Sequence, residues 1–285
     1  MPLVSTQEIV DSARARGVGV GAFNVITLEH AEAIVAGAEQ AGAAVILQIS
    51  ENAVKFHGGQ LAPIAAAVAA VARLAAVPVS LHLDHVEDPA LLHEAADAGF
   101  SSVMFDASKL DYDANVAATR AAAEWAHERG LHLEAELGEV GGKDGAHAPG
   151  VRTDPAEAAA YVAATGVDAL AVAVGSSHAM TTRTAKLDHG LIAKLRESVP
   201  VPLVLHGSSG VADDDLRSAV AAGIVKVNIG TILNVAFTAA VRETLREPSL
   251  VDPRKFLAPA RSEMAAVVRR LLSVLASSEA GASAS

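Results

Sequence analysis

Three short apolar runs in this chain each deliver a histidine at or just past their carboxyl end: Pro78–His85, Ala169–His178 and Pro202–His206. Buried ionisable groups are costly, so apolar strands do not finish this way by habit. Three neutral imidazoles, His85, His178 and His206, with one coordination position left open, make a catalytic zinc site. Two carboxylates fall at matching places in neighbouring runs. Asp106 ends one and Glu136 lies near the end of the next; they can support the histidines or serve an alternative metal position. Asp84 directly precedes His85, so it approaches from the opposite strand face and reads as an acid/base group. Asn228 lies near the end of the last run. The other eight histidines read as structural, with His82, on the strand face of Asp84, the best placed to support the site.

Such residues work together only if the chain brings the run ends to one place. The candidate strands are Val18–Asn24, Ala44–Ser50, Val77–Asp84, Ser102–Asp106, His132–Leu137, Ala169–Ser176, Pro202–His206 and Lys226–Ile229. They are near-continuously apolar, as strands are when both faces of a parallel sheet are covered. Helix signals stand between them. Asp88 with Pro89, and Thr153 or Asp154 with Pro155, read as caps followed by a first-turn proline, and Gly99, Gly166 and Gly223 as stops. Eight βα units predict an α/β protein with a closed (β/α)₈ TIM barrel. A doubly wound open sheet is disfavoured by the lack of a G-x-G-x-x-G turn after the first strand. Two extra C-terminal helices are expected over Ile232–Arg246 and Pro259–Ala276. Residues 1–276 read as one domain and 277–285 as a frayed tail. In a barrel, all the polar strand ends ring a single basin.

Two glycine-containing loops open toward that basin, Gly207-Ser208-Ser209-Gly210 and Asn228-Ile229-Gly230-Thr231. Barrels bind phosphate at this pair of loops, through backbone N–H groups and helix N-termini. Between Gly138 and Arg152, five of fifteen residues are glycine and Asp144 sits in the middle, which reads as a lid over substrate. The formal net charge of −11 argues against nucleic acid or an anionic membrane as partner, while leaving room for a small anion. The chain has no cysteine, which fits a reducing cytoplasm, and its first residues lack the pattern of a signal peptide. The apolar run from Leu61 to Val79 is interrupted by Pro63, Arg73 and Pro78, so it reads as a buried helix leading into a strand.

The chain resembles the class II, metal-dependent ketose-bisphosphate aldolases, the fructose- and tagatose-bisphosphate enzymes. The likeness is carried by Gly21-Ala22-Phe23-Asn24, His82-Leu83-Asp84-His85, Gly99–Ser108, Glu134–Gly138, Val140-Gly141-Gly142, Leu203–Gly207 and Asp252-Pro253-Arg254. The resemblance implies reversible retro-aldol cleavage of a phosphorylated ketose to dihydroxyacetone phosphate and an aldehyde, through a metal-stabilised enediolate. It implies one catalytic Zn²⁺ on His85, His178 and His206, with a second divalent position at Asp106 and Glu136 or a monovalent cation besides. Asp84 would exchange a proton with the hydroxyl that becomes the aldehyde. Asp144 would take the proton from the triose-phosphate carbon, and Asn228 would contact the enediolate. Gly207, Ser208, Ser209, Gly230 and Thr231 would hold phosphate, and Asn24 and Ser50 the far end of the ketose. Arg254 would reach a neighbouring subunit's far phosphate, which implies a homodimer or homotetramer. The chain departs from the family pattern after His178, where Ala179–Lys186 replaces a glycine and a tyrosine-lysine pair. Gly230 stands where relatives often have a polar residue. Arg183 and Lys186 are candidates for the missing charge. The alternatives are an aldolase for a ketose monophosphate, a metal-dependent barrel hydrolase, or a non-catalytic barrel subunit.

Overall fold

A computed structural model describes residues 3–137, 152–177 and 180–276. Within it, eight parallel strands close into a barrel in sequence order, with the eighth paired back to the first. They are β1 (Val20–Asn24), β2 (Val45–Ser50), β3 (Val79–Val86), β4 (Ser102–Phe105), β5 (His132–Glu136), β6 (Ala169–Ala171), β7 (Leu203–Leu205) and β8 (Ile224–Ile229). Helix α1 (Thr6–Arg16) precedes the barrel. The outer layer is α2 (Leu28–Ala41), α3 (Glu51–Phe56), α4 (Leu61–Leu74), α5 (Pro89–Glu94), α6 (Tyr112–His127), α7 (Pro155–Thr165), α8 (His189–Ser198) and α9 (Asp213–Ala222). Two further helices, α10 (Thr231–Thr244) and α11 (Pro253–Ala276), follow β8.

The strands are buried along nearly their whole length, and their outward residues join the helices in one large apolar core. Burial of apolar surface at roughly 25 cal/mol per Å² holds that core together. Caps fix where the helices start. Asp88 accepts from the Ala90 N–H ahead of α5, and Asp154 accepts from the Ala156 and Glu157 N–H groups ahead of α7. Both helices carry proline in the first turn, where its missing N–H is not needed.

Most boundaries shift by one or two residues from the sequence expectation, and three shifts have a visible local setting. Strand β3 does not stop at Asp84 but runs on through His85 to Val86. Strand β6 ends at Ala171, because beyond it Ala173 bonds to Thr153 instead of following the neighbouring strand. Helix α11 begins at Pro253 and continues through Pro259. Asp252 accepts from the Arg254 N–H at its start, and the buried face Met264, Val268, Leu271 and Leu275 outweighs the one bond lost at Pro259. No helix among the described residues is long and apolar enough to cross a membrane. The tail 277–285 lies outside the described residues.

Candidate active site

The site begins with an irregularity in β3. His85 has φ +49°, the one non-glycine residue with positive φ among the described residues. The pairing of β3 with β4 shifts register between Leu83 and Val86. In a regular strand Asp84 and His85 would face opposite ways. The bulge corrects the sequence expectation by turning both into the basin, where ligand atoms of Asp84, His85 and His206 lie within 4.8 Å of one another. A non-glycine residue held in the left-handed region costs about 1–3 kcal/mol and persists only where the surroundings impose it.

The surroundings do impose it. His85 Nδ1 lies 2.8 Å from Asp106 Oδ2, and Asp106 Oδ1 accepts from the Ser108 hydroxyl at 2.6 Å. His206, fully buried, has Nε2 at 3.0 Å from Glu134 Oε1. The inner nitrogens, His85 Nε2 and His206 Nδ1, face each other at 3.1 Å. An ionised carboxylate can only accept, so the outer nitrogen of each ring carries the hydrogen. Both inner nitrogens then present lone pairs to the same space. Two imidazole lone pairs converging on one space are stabilised by a shared cation, so these donors fit a metal ion. His85, Asp106 and Glu136 form a second group with ligand atoms within 4.8 Å, and Glu136 Oε2 is 3.9 Å from His206 Nδ1. His178 and Asp144 lie outside the described residues. The chain ahead of His178 is fixed against the site. Ser176 donates to the His206 carbonyl at 2.6 Å, and a Cβ on Gly207, where φ is +66°, would come within 2.6 Å of the Ser177 backbone.

Asp84 is buried, with Asn24, Gln48 and Asn228 each placing an amide nitrogen 3.4 Å from its carboxylate. These contacts are long, so the carboxylate is surrounded by donors without being tightly claimed by any. Below it His82 bonds to Ser102 at 2.7 Å, with Nε2 4.0 Å from Asp84. Burial, with Lys226 nearby, holds the His82 pKa well below the ordinary histidine value, so the ring is neutral.

Above these groups opens a cleft of about 590 Å³, a size suited to a small ligand. Asn24, Ser50, Asp84, His85, Gly207, Ser208, Ser209, Asn228, Gly230 and Thr231 all line it. Two buried lining atoms, Gln48 Oε1 and Asn228 Oδ1, lack a hydrogen-bond partner, as expected of acceptors awaiting a ligand's hydroxyls. The Ser208 hydroxyl is taken by the Asn228 carbonyl at 2.5 Å, so Ser208 offers an incoming anion its backbone N–H. Arg254 is not part of this cleft wall. Its guanidinium clasps Asp252 at 2.8–3.1 Å, and its side chain is 88% exposed. Arg183 is likewise turned away from the loops after β7 and β8, donating to the Val211 carbonyl and to Asp213. Lys186 is exposed and outside the lining.

The sequence model of the family described as fructose-bisphosphate aldolase class-II matches residues 4–280. The chain belongs to that family. It is 39% identical to a fructose-bisphosphate aldolase of Thermus caldophilus, over 96% of this chain and 98% of that one. It is 40% identical to one of Geobacillus stearothermophilus, over 94% and 95%. Among solved structures, the YdjI aldolase of Escherichia coli K12 superposes with a TM-score of 0.85 at 31% identity, covering 97% of this chain and 98% of that one. The enzyme is thus a metal-dependent aldolase, a lyase on a TIM barrel.

Three residues of this aldolase's site escape a reading of strand ends. Gln48 lines the cleft beside Asn24 and bonds to it at 2.8 Å. Glu134 and Lys226 form a buried ion pair at 2.7 Å, directly beneath His206. Burial alone would raise the Glu134 pKa, but Lys226 together with His82 and His132 holds the carboxyl below its ordinary value. A signal for these two was available. Each is a charged residue inside an apolar run, two positions before a site residue, Glu136 or Asn228, and therefore on the same strand face. Among the other described histidines, His57 bonds to the Ile26 carbonyl, His127 to Asp168 and His189 to Asp215.

Proposed function

We propose that this aldolase cleaves a ketose bisphosphate of the fructose-1,6- or tagatose-1,6-bisphosphate type to dihydroxyacetone phosphate and an aldehyde, with zinc as its metal. The observation that carries the reading is the pair of facing nitrogens on His85 and His206, next to the loosely held carboxylate of Asp84. His85 through Nε2, His206 through Nδ1 and His178 would hold the metal. Bound there, it would polarise the ketose carbonyl as a Lewis acid.

The chain's own groups do the rest. Asp84 takes the proton of the hydroxyl that becomes the aldehyde as the carbon–carbon bond breaks, and returns one in the condensation direction. Asn228, within the same cleft wall, offers its amide to the oxygen that gains charge on the triose half. Asp144 handles the proton on the triose carbon. Gly207, Ser208, Ser209, Gly230 and Thr231 hold the triose phosphate, and the N-terminus of α10 begins at this loop. Asn24 and Ser50 contact the far end of the ketose. Asp106 and Glu136 orient the histidines and offer a second position for the metal. Arg254 stands outside its own cleft, so its contact with the far phosphate requires a second copy of the chain, which supports a homodimer or homotetramer. The net charge of −11 and the absence of cysteine support a cytoplasmic enzyme acting on a small phosphorylated sugar, not on nucleic acid or membrane.

The test is a retro-aldol assay of fructose and tagatose bisphosphates and of the matching monophosphates, with and without chelator. Cleavage of a bisphosphate that chelator abolishes and zinc restores is expected. Cleavage untouched by metal removal would refute the zinc reading, and cleavage of monophosphates alone would refute the bisphosphate.

A further inference from the structure

One layer below the cleft floor, the barrel interior holds a lysine and a glutamate where apolar side chains ordinarily fill a barrel. Lys226 and Glu134 are each 1% exposed. Replacing a buried ion pair with apolar residues of similar volume is often neutral or stabilising, so stability alone is a weak reason for this one. We infer that Glu134, paired with Lys226, is a positioning residue that fixes the hydrogen of His206 on Nε2 and so aims the Nδ1 lone pair into the site. The inference rests on the reading of His206 as a metal ligand.

Two neighbours compete for His206 Nε2. Glu134 Oε1 lies 3.0 Å from it and can only accept, so it requires N–H there. The Asn228 amide nitrogen also lies 3.0 Å from it and can only donate, so it requires a lone pair there. The two ask for opposite tautomers. The charged acceptor prevails, because charge-assisted hydrogen bonds are roughly twice as strong as neutral ones. Lys226, 2.7 Å from the other carboxylate oxygen, supplies the reason that Glu134 is charged at all in a buried layer. Without Glu134, Asn228 would donate to Nε2. The hydrogen would move to Nδ1 and point at His85 Nε2, 3.1 Å away, closing the metal position with a histidine–histidine hydrogen bond. The pair also leaves the Asn228 amide nitrogen free to turn to Asp84 and to substrate.

The tautomer can be read in the full-length, metal-free enzyme by long-range ¹H–¹⁵N correlation of labelled histidine. His206 protonated on Nε2 is expected in the wild type; protonation on Nδ1 would overturn the inference without any variant. Glu134→Leu/Lys226→Met should keep the fold, move the hydrogen to Nδ1 and weaken zinc and cobalt binding about 10- to 100-fold in competition with a chromogenic chelator. Glu134→Gln/Lys226→Met retains an acceptor and should recover most of that loss. A folded Leu/Met variant with wild-type metal affinity and wild-type tautomer would refute the role of the pair while leaving the metal site standing. A wild-type enzyme that bound neither metal would instead refute the metal site, and with it the role assigned to the pair.

Discussion

His85 and His206 rest on contacts that leave each ring one orientation, whereas the loops after β7 and β8, proposed to hold phosphate, present neutral groups to the cleft. Under the histidines stand Asp106 and Glu134, themselves fixed by Ser108 and Lys226. The loops and the start of α10 contribute Gly207, Ser208, Ser209, Gly230, Thr231 and Asn234 to the cleft lining, all uncharged, while the lysines that line the cleft, Lys55 and Lys109, come from other elements. The difference separates two kinds of energy. The reacting end relies on preorganised charge, which is worth most where water is excluded. On the proposed mechanism, the phosphate end relies on backbone donors and a helix N-terminus, each a modest contribution that shape can tune. Changes at the first end should therefore appear in kcat, and changes at the second in KM.

The sharpest expected separation is Asp84→Asn. The substitution keeps size and amide-like contacts but removes the proton acceptor, and kcat should fall by roughly 10²–10⁴-fold. Metal content, measured on the same preparation, should be unchanged. Loss of metal in proportion to activity would show that Asp84 is a ligand, an assignment its place within 4.8 Å of His85 and His206 also permits. Arg254→Ala comes next. Losing one charged contact to phosphate should weaken bisphosphates by about 10-fold or more, on the order of 1.5–3 kcal/mol, and leave monophosphates nearly untouched. Equal weakening of both in a substrate panel would remove the far-phosphate role.

Gly230→Ala probes the softer wall. A Cβ there would lie 2.9 Å from Asn24 Oδ1 and 3.3 Å from its Cγ, so Asn24 must give way. Asn24 is held by Gln48 at 2.8 Å but touches Asp84 only at 3.4 Å. We expect KM to rise several-fold, about 1 kcal/mol, with kcat close to wild type. A fall in kcat without a change in KM, in steady-state kinetics, would mean that the two ends of the cleft are coupled through Asn24.

Much of this division is visible before any coordinates. Near-continuous apolar runs separated by Asp-Pro caps and glycine stops specify a parallel closed barrel, and strand-end polarity specifies where its chemistry lies. What the runs conceal is local geometry. A period of two assigns Asp84 and His85 to opposite faces, and only the positive φ at His85 brings them together. Histidine carries no mark of that conformation, as a glycine would. Glu134 and Lys226 are concealed differently. In sequence each is a polar residue in a strand, and their meeting depends on two strands, β5 and β8, facing one another across a closed barrel. Arg183 shows the reverse error, since a cation near a phosphate loop in sequence is drawn instead to Val211 and Asp213 in space.

That displacement gives the smallest prediction. Asp213 receives both Arg183 and Arg270, joining the segment after His178 to α9 and α11. Burial would raise its pKa, but the two guanidinium groups outweigh this and hold it below the ordinary aspartate value. With the folded pKa depressed, the contribution to stability is present above the unfolded value of about 3.9 and is lost as pH falls through the folded pKa. Asp213→Asn should therefore lower stability at neutral pH, and the gap from wild type should close below about pH 4 in denaturant titrations. Asp213 and its partners are partly exposed, so screening limits the effect to at most about 1 kcal/mol. If the pair serves only to tether the segment, KM for the triose phosphate should rise slightly and kcat should hold. An unchanged KM would mean that the tether lies outside the anion-binding end altogether, and that the loops after β7 and β8 set phosphate affinity alone.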